Sequence, residues 1–204
     1  PEALINYLAR LGWAHGDDEI FSREQFVSWF ELDAINKAPA RFDPEKLRWL
    51  NQQYVKALPP PAYAQLVAQR MEAAYPNYQL PPQGFALFRD RVAPDEFVEA
   101  TKYLHTRPVP SRELVLKHYS ESAGAALAEL LEQFASIPWQ RQTIHVTIKA
   151  VAQKRNLKLG QVAMPLRIMM TGVTETPSID AVLEIIGRNE VIARLKNELD
   201  KISS

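Results

Sequence analysis

The sequence predicts an all-α protein. Apolar residues recur at intervals of three and four in successive segments, which is the spacing of one helical face. Prolines and capping residues stand where many of these segments begin or end. Strict alternation of apolar and polar residues, which is typical of a strand, is confined to one short segment.

The first helix is predicted over PEALINYLARLGW and ends at Gly12. One face of this helix carries three leucines: Leu4, Leu8 and Leu11. The sequence begins directly with helix-forming residues and has no initiating Met, and we therefore expect a piece of a longer chain.

Two further helices near the start of the chain have clear start signals. Ser22 and Gln25 match a capping box, in which each side chain accepts from the other's backbone amide. Asp43 and Pro44 open DPEKLRWLNQQYVKAL, because Pro is favoured as the first helical residue. The three prolines at 59–61 lack amide donors and indicate a domain boundary.

In the middle of the chain, the apolar spacing predicts helices over AYAQLVAQRMEAAY, FALFRDRV and, from Pro94, DEFVEATKYL. Residues 105–111 hold two more prolines and indicate a second boundary. The helix that follows is expected to be irregular over 120–124.

The one alternating segment is TIHVTIKAV. No neighbouring segment supplies a partner strand, and VAQKR continues as helix-forming sequence, so we predict a helix here. Gly187 is expected to stop a helix before the last one, NEVIARLKNELDKI.

The stretch LKLGQVAMPLRIMMTGVTETPSI contains two dipeptides that favour helix starts, at Pro165 and at Pro177. Thr176 would cap the second helix through its hydroxyl. Lys158, Arg167 and a capped helix N-terminus would then lie close together, and such a site suits an anion or the polar edge of a base.

Composition excludes several classes of function. Cys is absent, so disulfides and thiolate metal sites are excluded. The 4 histidines lack metal-ligand spacing, and no nucleophile motif or glycine-rich phosphate loop is present. No apolar run approaches the ~18 residues needed to span a membrane. Net charge is zero, but residues 136–204 carry 10 basic and 6 acidic side chains, a bias compatible with phosphate contact.

Basic and aromatic residues interleave on the third predicted helix, at Lys46, Arg48 and Trp49. Such a group could hold phosphates and stack on bases. Trp49 could equally belong to the core, with the basic residues facing solvent. These residues alone leave both interpretations open.

Four strings carry a resemblance to a known family: PEALINYLARLGW, FDPEKLRWLNQQY, LKLGQVAMPLRIMMTG and TETPSIDAVLEIIG. In this order they resemble bacterial glutamyl-tRNA synthetase. Neither signature of the class I catalytic Rossmann domain is present. The resemblance therefore implies the carboxy-terminal, tRNA-reading part of a cytoplasmic enzyme, with tRNA(Glu) as partner and no activity of its own. It also implies no cofactor here, since ATP and Mg²⁺ belong to the catalytic domain of the complete ligase.

The resemblance implies an elongated stack of helical domains. Residues 1–58 would end the stem-contact domain, in which Lys46, Arg48 and Trp49 approach the inner side of the tRNA. Residues 59–110 and 111–204 would be two anticodon-binding domains.

The family's anticodon contacts can be carried over to this sequence. Arg91 matches the arginine that selects cytosine at the third anticodon position, and Arg89 stays open because the alignment needs a gap nearby. Arg167 matches an arginine that contacts the anticodon. The turn on which anticodon bases rest matches Thr176, Pro177 and Ile179.

Three alternatives stay open. They are a part of an intact ligase, a free-standing paralogue that binds tRNA for another purpose, and a helical protein-interaction module. If apolar faces of the first domain are exposed, we expect weak self-association.

Overall fold

The fold is all-α, as the sequence predicts, in a computed structural model that describes residues 1–36, 39–76 and 78–203. These ranges contain no strand, and none of their helices is both long and apolar enough to cross a membrane. The helices, in chain order, are α1 Glu2–Gly12, α2 Arg23–Trp29, α3 Pro44–Ala57, α4 Pro60–Ala74, α5 Pro82–Phe88, α6 Phe97–Ala100, α7 Arg112–His118, α8 Glu121–Phe134, α9 Arg141–Lys154, α10 Leu159–Thr171, α11 Ile179–Ile186 and α12 Arg188–Ser203. Two 3₁₀ turns lie at Leu32–Ala34 and Lys102–Leu104.

The main core forms where α8, α9, α10 and α12 pack together. Burying one side chain of the size of Leu or Phe contributes roughly 1.5–3 kcal/mol. The same apolar cluster continues into α4, α5 and α6 through Tyr63, Phe88 and Phe97. This continuity holds the segment after α5 beside the loop after α10.

Several predicted boundaries are confirmed. Ser22 and Gln25 make both hydrogen bonds of the capping box, and the Asp43 side chain accepts from the first-turn amides of α3. The chain breaks between α7 and α8 at the expected irregularity. The alternating segment lies within α9, and Gly187 ends α11 with φ of 88°.

The packed face of α1 differs from the predicted one. Leu4 and Leu8 are 47% and 53% exposed, whereas Ala3, Asn6 and Tyr7 are buried. Asn6 is responsible, because its side-chain oxygen accepts from the Phe21 amide at 3.1 Å and from the Tyr54 hydroxyl at 2.7 Å. A polar network therefore orients α1.

The helix predicted from Pro94 is also shorter than expected. Residues 94–96 form a turn, and α6 is a single turn that begins at Phe97. The buried Thr101 hydroxyl donates to the Phe97 carbonyl at 2.7 Å, a local bond that competes with continued helix.

Both proline-based helix starts in the 157–179 stretch are wrong. Pro165 lies inside α10, which begins at Leu159, where Gln161 Oε1 accepts from the Lys158 amide at 2.8 Å. α11 begins at Ile179, with Ser178 at its N-cap position. The Thr176 hydroxyl donates to the Pro177 carbonyl at 2.8 Å and does not cap the helix.

Candidate nucleic-acid interface

An open groove of about 1010 Å³ separates two walls of the molecule. One wall is the segment 88–103, which includes α6, and the other is the loop 173–177 between α10 and α11. We call it the Arg91 groove. Its polar lining includes Arg91, Asp95, Glu96, Glu99, Glu175 and Thr176, and its apolar lining includes Phe88, Val92, Tyr103 and Pro177. A volume of this order is sufficient for a drug-sized ligand.

The first wall turns immediately after α5. The amides of Arg91 and Val92 both donate to the Phe88 carbonyl at 3.0 Å, which closes a tight turn. Phe88 is buried in the core, so the turn is anchored while the Arg91 side chain is exposed. The anchored turn therefore places Arg91, whose guanidinium has five donors, in the lining of the groove.

The second wall is set by the end of α10. Gly172 takes the left-handed conformation with φ of 76° and ends the helix. The Thr171 hydroxyl then donates to the Arg167 carbonyl at 2.8 Å, and Arg167 Nη1 donates to the Thr174 carbonyl at 3.2 Å. The loop that carries Thr176 and Pro177 is thus tied back to its own helix.

The charge of the lining points to a base edge and away from a phosphate. Four carboxylates line the groove against one guanidinium, that of Arg91. A phosphate would be repelled by such a lining. A base edge that offers both acceptors and an amino group can bind the guanidinium and a carboxylate at the same time.

The structure separates the two arginines that the sequence leaves open. Arg89 Nη2 donates to the Lys56 and Leu58 carbonyls at the end of α3. Arg91 lines the groove together with Thr176 and Pro177. Arg89 therefore holds α3 to α5, and Arg91 is the one of the two that is available in the groove.

The other two predicted anticodon residues lie behind the loop. The half-buried Arg167 supports Thr174, as described, and its Nε is buried without a hydrogen-bond partner among the described residues. Ile179 is only 7% exposed, as the first residue of α11. Neither residue lines the Arg91 groove. Arg167 braces the loop that does, and Ile179 belongs to the apolar core.

A second cavity of about 760 Å³ lies next to the groove, and Asp95 lines both. Arg48 from α3 and Arg70 from α4 line this cavity, together with the Asn51 amide. The Arg48 and Arg70 side chains are exposed. Two carboxylates, those of Glu2 and Asp95, also line this cavity. The described surface therefore runs from a cavity with two arginines and two carboxylates into the Arg91 groove, where carboxylates outnumber the one arginine.

The remaining predicted contacts are on the exposed side of α3. Lys46 Nζ pairs with the Glu19 carboxylate at 3.1 Å, and the Trp49 side chain is 44% exposed. Trp49 is thus not a core residue, and its ring offers a surface on which a base or ribose can pack.

Two lining residues, Arg70 and Tyr103, were not predicted from the sequence. Arg70 lies on a helix whose polar residues have the pattern of an ordinary solvent-exposed face. Tyr103 is buried along the groove wall, and its hydroxyl has no hydrogen-bond partner within the described ranges. No group of three or more His, Asp or Glu side chains in those ranges is arranged to hold a metal ion.

Comparison with known proteins identifies the family. Residues 35–199 match the family described as anticodon binding domain. The chain is 44% identical over 206 residues to a glutamate–tRNA ligase of Nitrosomonas europaea, covering 98% of this chain and 44% of that protein. It is 42% identical over 203 residues to that of Herminiimonas arsenicoxydans, with the same two coverages.

Solved structures agree with the sequence comparisons. The crystal structure of a glutamate tRNA ligase from Elizabethkingia meningosepticum superposes with a TM-score of 0.91 at 27% identity, covering 98% of this chain and 41% of that one. The chain spans less than half the length of these relatives. The resemblance to the carboxy-terminal part of glutamyl-tRNA synthetase is confirmed, and the chain belongs to the anticodon binding domain family.

Proposed function

We propose that this chain recognises the anticodon of tRNA(Glu) and is the tRNA-reading part of a glutamate–tRNA ligase. The observation that carries the proposal is the Arg91 groove, in which Arg91 lines one wall and Thr176 and Pro177 line the other, within a carboxylate-rich lining. Unstacked loop bases are the usual targets of sequence-specific RNA recognition. The groove takes such a base by its pairing edge.

The chemistry of the lining favours cytosine over guanine. Cytosine offers two acceptors, O2 and N3, to the Arg91 guanidinium, and its amino group can donate to a carboxylate such as Asp95 or Glu96. Guanine turns N1–H and N2–H donors toward the same guanidinium, which leaves donors facing donors. The third anticodon base is the one this contact reads.

The other predicted residues have supporting roles. Thr176 and Pro177 provide the surface on which neighbouring anticodon bases rest, while Arg167 holds that loop in place. Ile179 starts the helix that follows the loop and anchors it in the core. The phosphates follow the adjoining cavity through Arg48 and Arg70, and Lys46 and Trp49 extend the path on α3. Lysine and arginine supply the non-specific part of RNA affinity.

The domain assignment follows from this arrangement. The first wall of the groove falls in residues 59–110 and the second in 111–204, so the two anticodon-binding units would meet at the groove. Residues 1–58 would end the stem-contact domain. Joining glutamate to tRNA with ATP and Mg²⁺, in the cytoplasm, would be the work of the complete ligase, and this chain has no catalytic role in it.

The test compares two transcripts, tRNA(Glu) and a variant with guanine at the third anticodon position. The parent chain should prefer the first by about 5- to 150-fold, the equivalent of about 1–3 kcal/mol for a bidentate base contact. Arg91→Gln should lose most of this preference, and Arg112→Gln, an exposed arginine outside the groove, should keep it. An unchanged preference in Arg91→Gln would show that another residue reads the base.

An observation on α1 favours a second property, weak self-association. Leu4 and Leu8 are largely exposed on one helical face, and Val27 and Leu32 are also exposed. Exposed apolar surface of this kind favours protein contacts. Sedimentation at increasing concentration should show a rising average mass that falls in Leu4→Lys/Leu8→Lys, and a monomer throughout would contradict it.

A further inference from the structure

The two walls of the Arg91 groove are joined behind it by a buried arginine. Arg194 on α12 is 4% exposed, and Nη1 donates to the Tyr103 carbonyl at 2.7 Å and to the Met170 carbonyl at 2.8 Å. Tyr103 ends the first wall, and Met170 is two residues before Gly172, where the second wall leaves α10. A single nitrogen thus donates to a backbone carbonyl next to each of the two walls.

The remaining donors of Arg194 fix its position. Nε pairs with Glu190 Oε1 at 2.8 Å, and Nη2 reaches the Thr106 carbonyl at 3.4 Å. Arg107 donates to both carboxylate oxygens of Glu190, at 2.7 and 2.8 Å. The buried charge is therefore compensated, and the planar guanidinium has little freedom to turn.

This geometry gives Arg194 control over groove width. The walls come from segments far apart in sequence, and their relative position decides whether a base can touch Arg91 and the 173–177 loop together. Lysine keeps the charge, but it lacks the second and third nitrogens that pair with Glu190 and Thr106, so nothing would hold its ammonium in position between the two carbonyls. A small change in the spacing of binding groups is enough to weaken a geometry-dependent contact.

We propose that Arg194 is a positioning residue for base selection: it does not contact RNA, and it sets the separation of the two walls that do. The proposal rests on the anticodon-binding function proposed above. A purely structural arginine would change stability and leave the choice between bases intact, so selectivity is the informative readout.

Arg188 on the same helix provides the matched control. It donates to the Ile137 carbonyl and lies over the Trp139 ring at 5.8 Å, and neither it nor its partners line the groove. Arg194→Lys and Arg188→Lys each remove a guanidinium that joins α12 to a backbone carbonyl in another part of the chain. Both should unfold at lower urea concentration than the parent.

The experiment measures binding of tRNA(Glu) and of the variant with guanine at the third anticodon position, under conditions where each protein is folded. Arg194→Lys should lose at least about fivefold in preference, and Arg188→Lys should keep the parent's preference. If Arg194→Lys does not fold, Glu190→Gln, which loosens the guanidinium without removing it, should shift the preference in the same direction. The proposal would be overturned if Arg194→Lys, or Glu190→Gln where that variant replaces it, kept the parent's preference between the two transcripts. It would also be overturned if Arg188→Lys lost as much preference as Arg194→Lys. A parent without any preference would overturn the proposed function instead.

Discussion

Gly172 ends α10 with φ of 76°, and the loop that forms one wall of the Arg91 groove starts immediately after it. Replacing this glycine with alanine adds a methyl group in a backbone conformation that side chains disfavour. The left-handed conformation costs roughly 1–2 kcal/mol for a residue with a Cβ. The added Cβ would also lie 3.2 Å from Cβ of Pro108, tighter than an ordinary contact.

These two effects act in the same direction. Because Pro108 belongs to a proline-containing connection and can yield only slightly, the contact adds some tenths of a kcal/mol to the backbone cost. We expect Gly172→Ala to lower the free energy of unfolding by about 2 kcal/mol. The same loss should appear as an earlier urea midpoint with an unchanged slope.

Gly160 is the control at the other end of the same helix. It lies in the first turn of α10, and an added Cβ meets no atom within 4 Å. Gly160→Ala should therefore stabilise the protein by about 0.5 kcal/mol through helix propensity alone. A Gly172→Ala variant that is as stable as Gly160→Ala, or more stable, would refute the role assigned to the left-handed glycine.

Two predictions concern stability against pH. Burial, together with the nearby charge of Arg194, lowers the pKa of His105 to about 4. At a pH between the ordinary histidine pKa and 4, the unfolded chain binds a proton at this residue that the folded chain does not. The free energy of unfolding should therefore fall by up to about 3 kcal/mol as the pH drops through this range. His105→Phe, whose ring can pack beside Tyr75, should flatten this part of a urea-midpoint series, and a parallel curve would contradict the assignment. Hydrogen bonds from Arg107 and then Arg194 lower the pKa of Glu190 to about 2, so the stability it contributes is present above pH 4.5 and is lost as pH falls toward 2. In Glu190→Gln, the free energy of unfolding should fall by about 2 kcal/mol less than in the parent over this pH range, a figure reduced for solvent screening. An equal fall in the two proteins below pH 4.5 would be inconsistent with the ion pairs assigned to Glu190.

The helices were predictable because their signals are local. Capping by Ser22 and by Asp43 involves residues within one turn of each other, and the apolar spacing of α8 and α12 repeats within a few turns. The start of α10 was not predictable from Pro165, since proline is found both at helix starts and, less often, inside helices. The signal lay in Gln161, whose side chain accepts from the Lys158 amide.

The groove itself could be predicted only in part. The family resemblance pointed to Arg91, Thr176 and Pro177, and the structure brings these three together. Whether Arg89 or Arg91 faces the groove depends on carbonyls at the end of α3, which local sequence does not reveal. Arg194 was equally hidden, because the carbonyls that it bonds lie in other segments of the chain and its spacing fits an ordinary amphipathic helix.

A filter-binding titration measures whether this chain reads a tRNA anticodon. The chain would be titrated against tRNA(Glu) and against the same transcript with a scrambled anticodon, at about 50 mM and about 200 mM salt. Binding to tRNA(Glu) should be saturable and should weaken at least about tenfold at the higher salt, and the scrambled transcript should bind clearly more weakly at both salt concentrations. No saturable binding at low salt, or equal affinity for the two transcripts, would show that the chain does not read the anticodon.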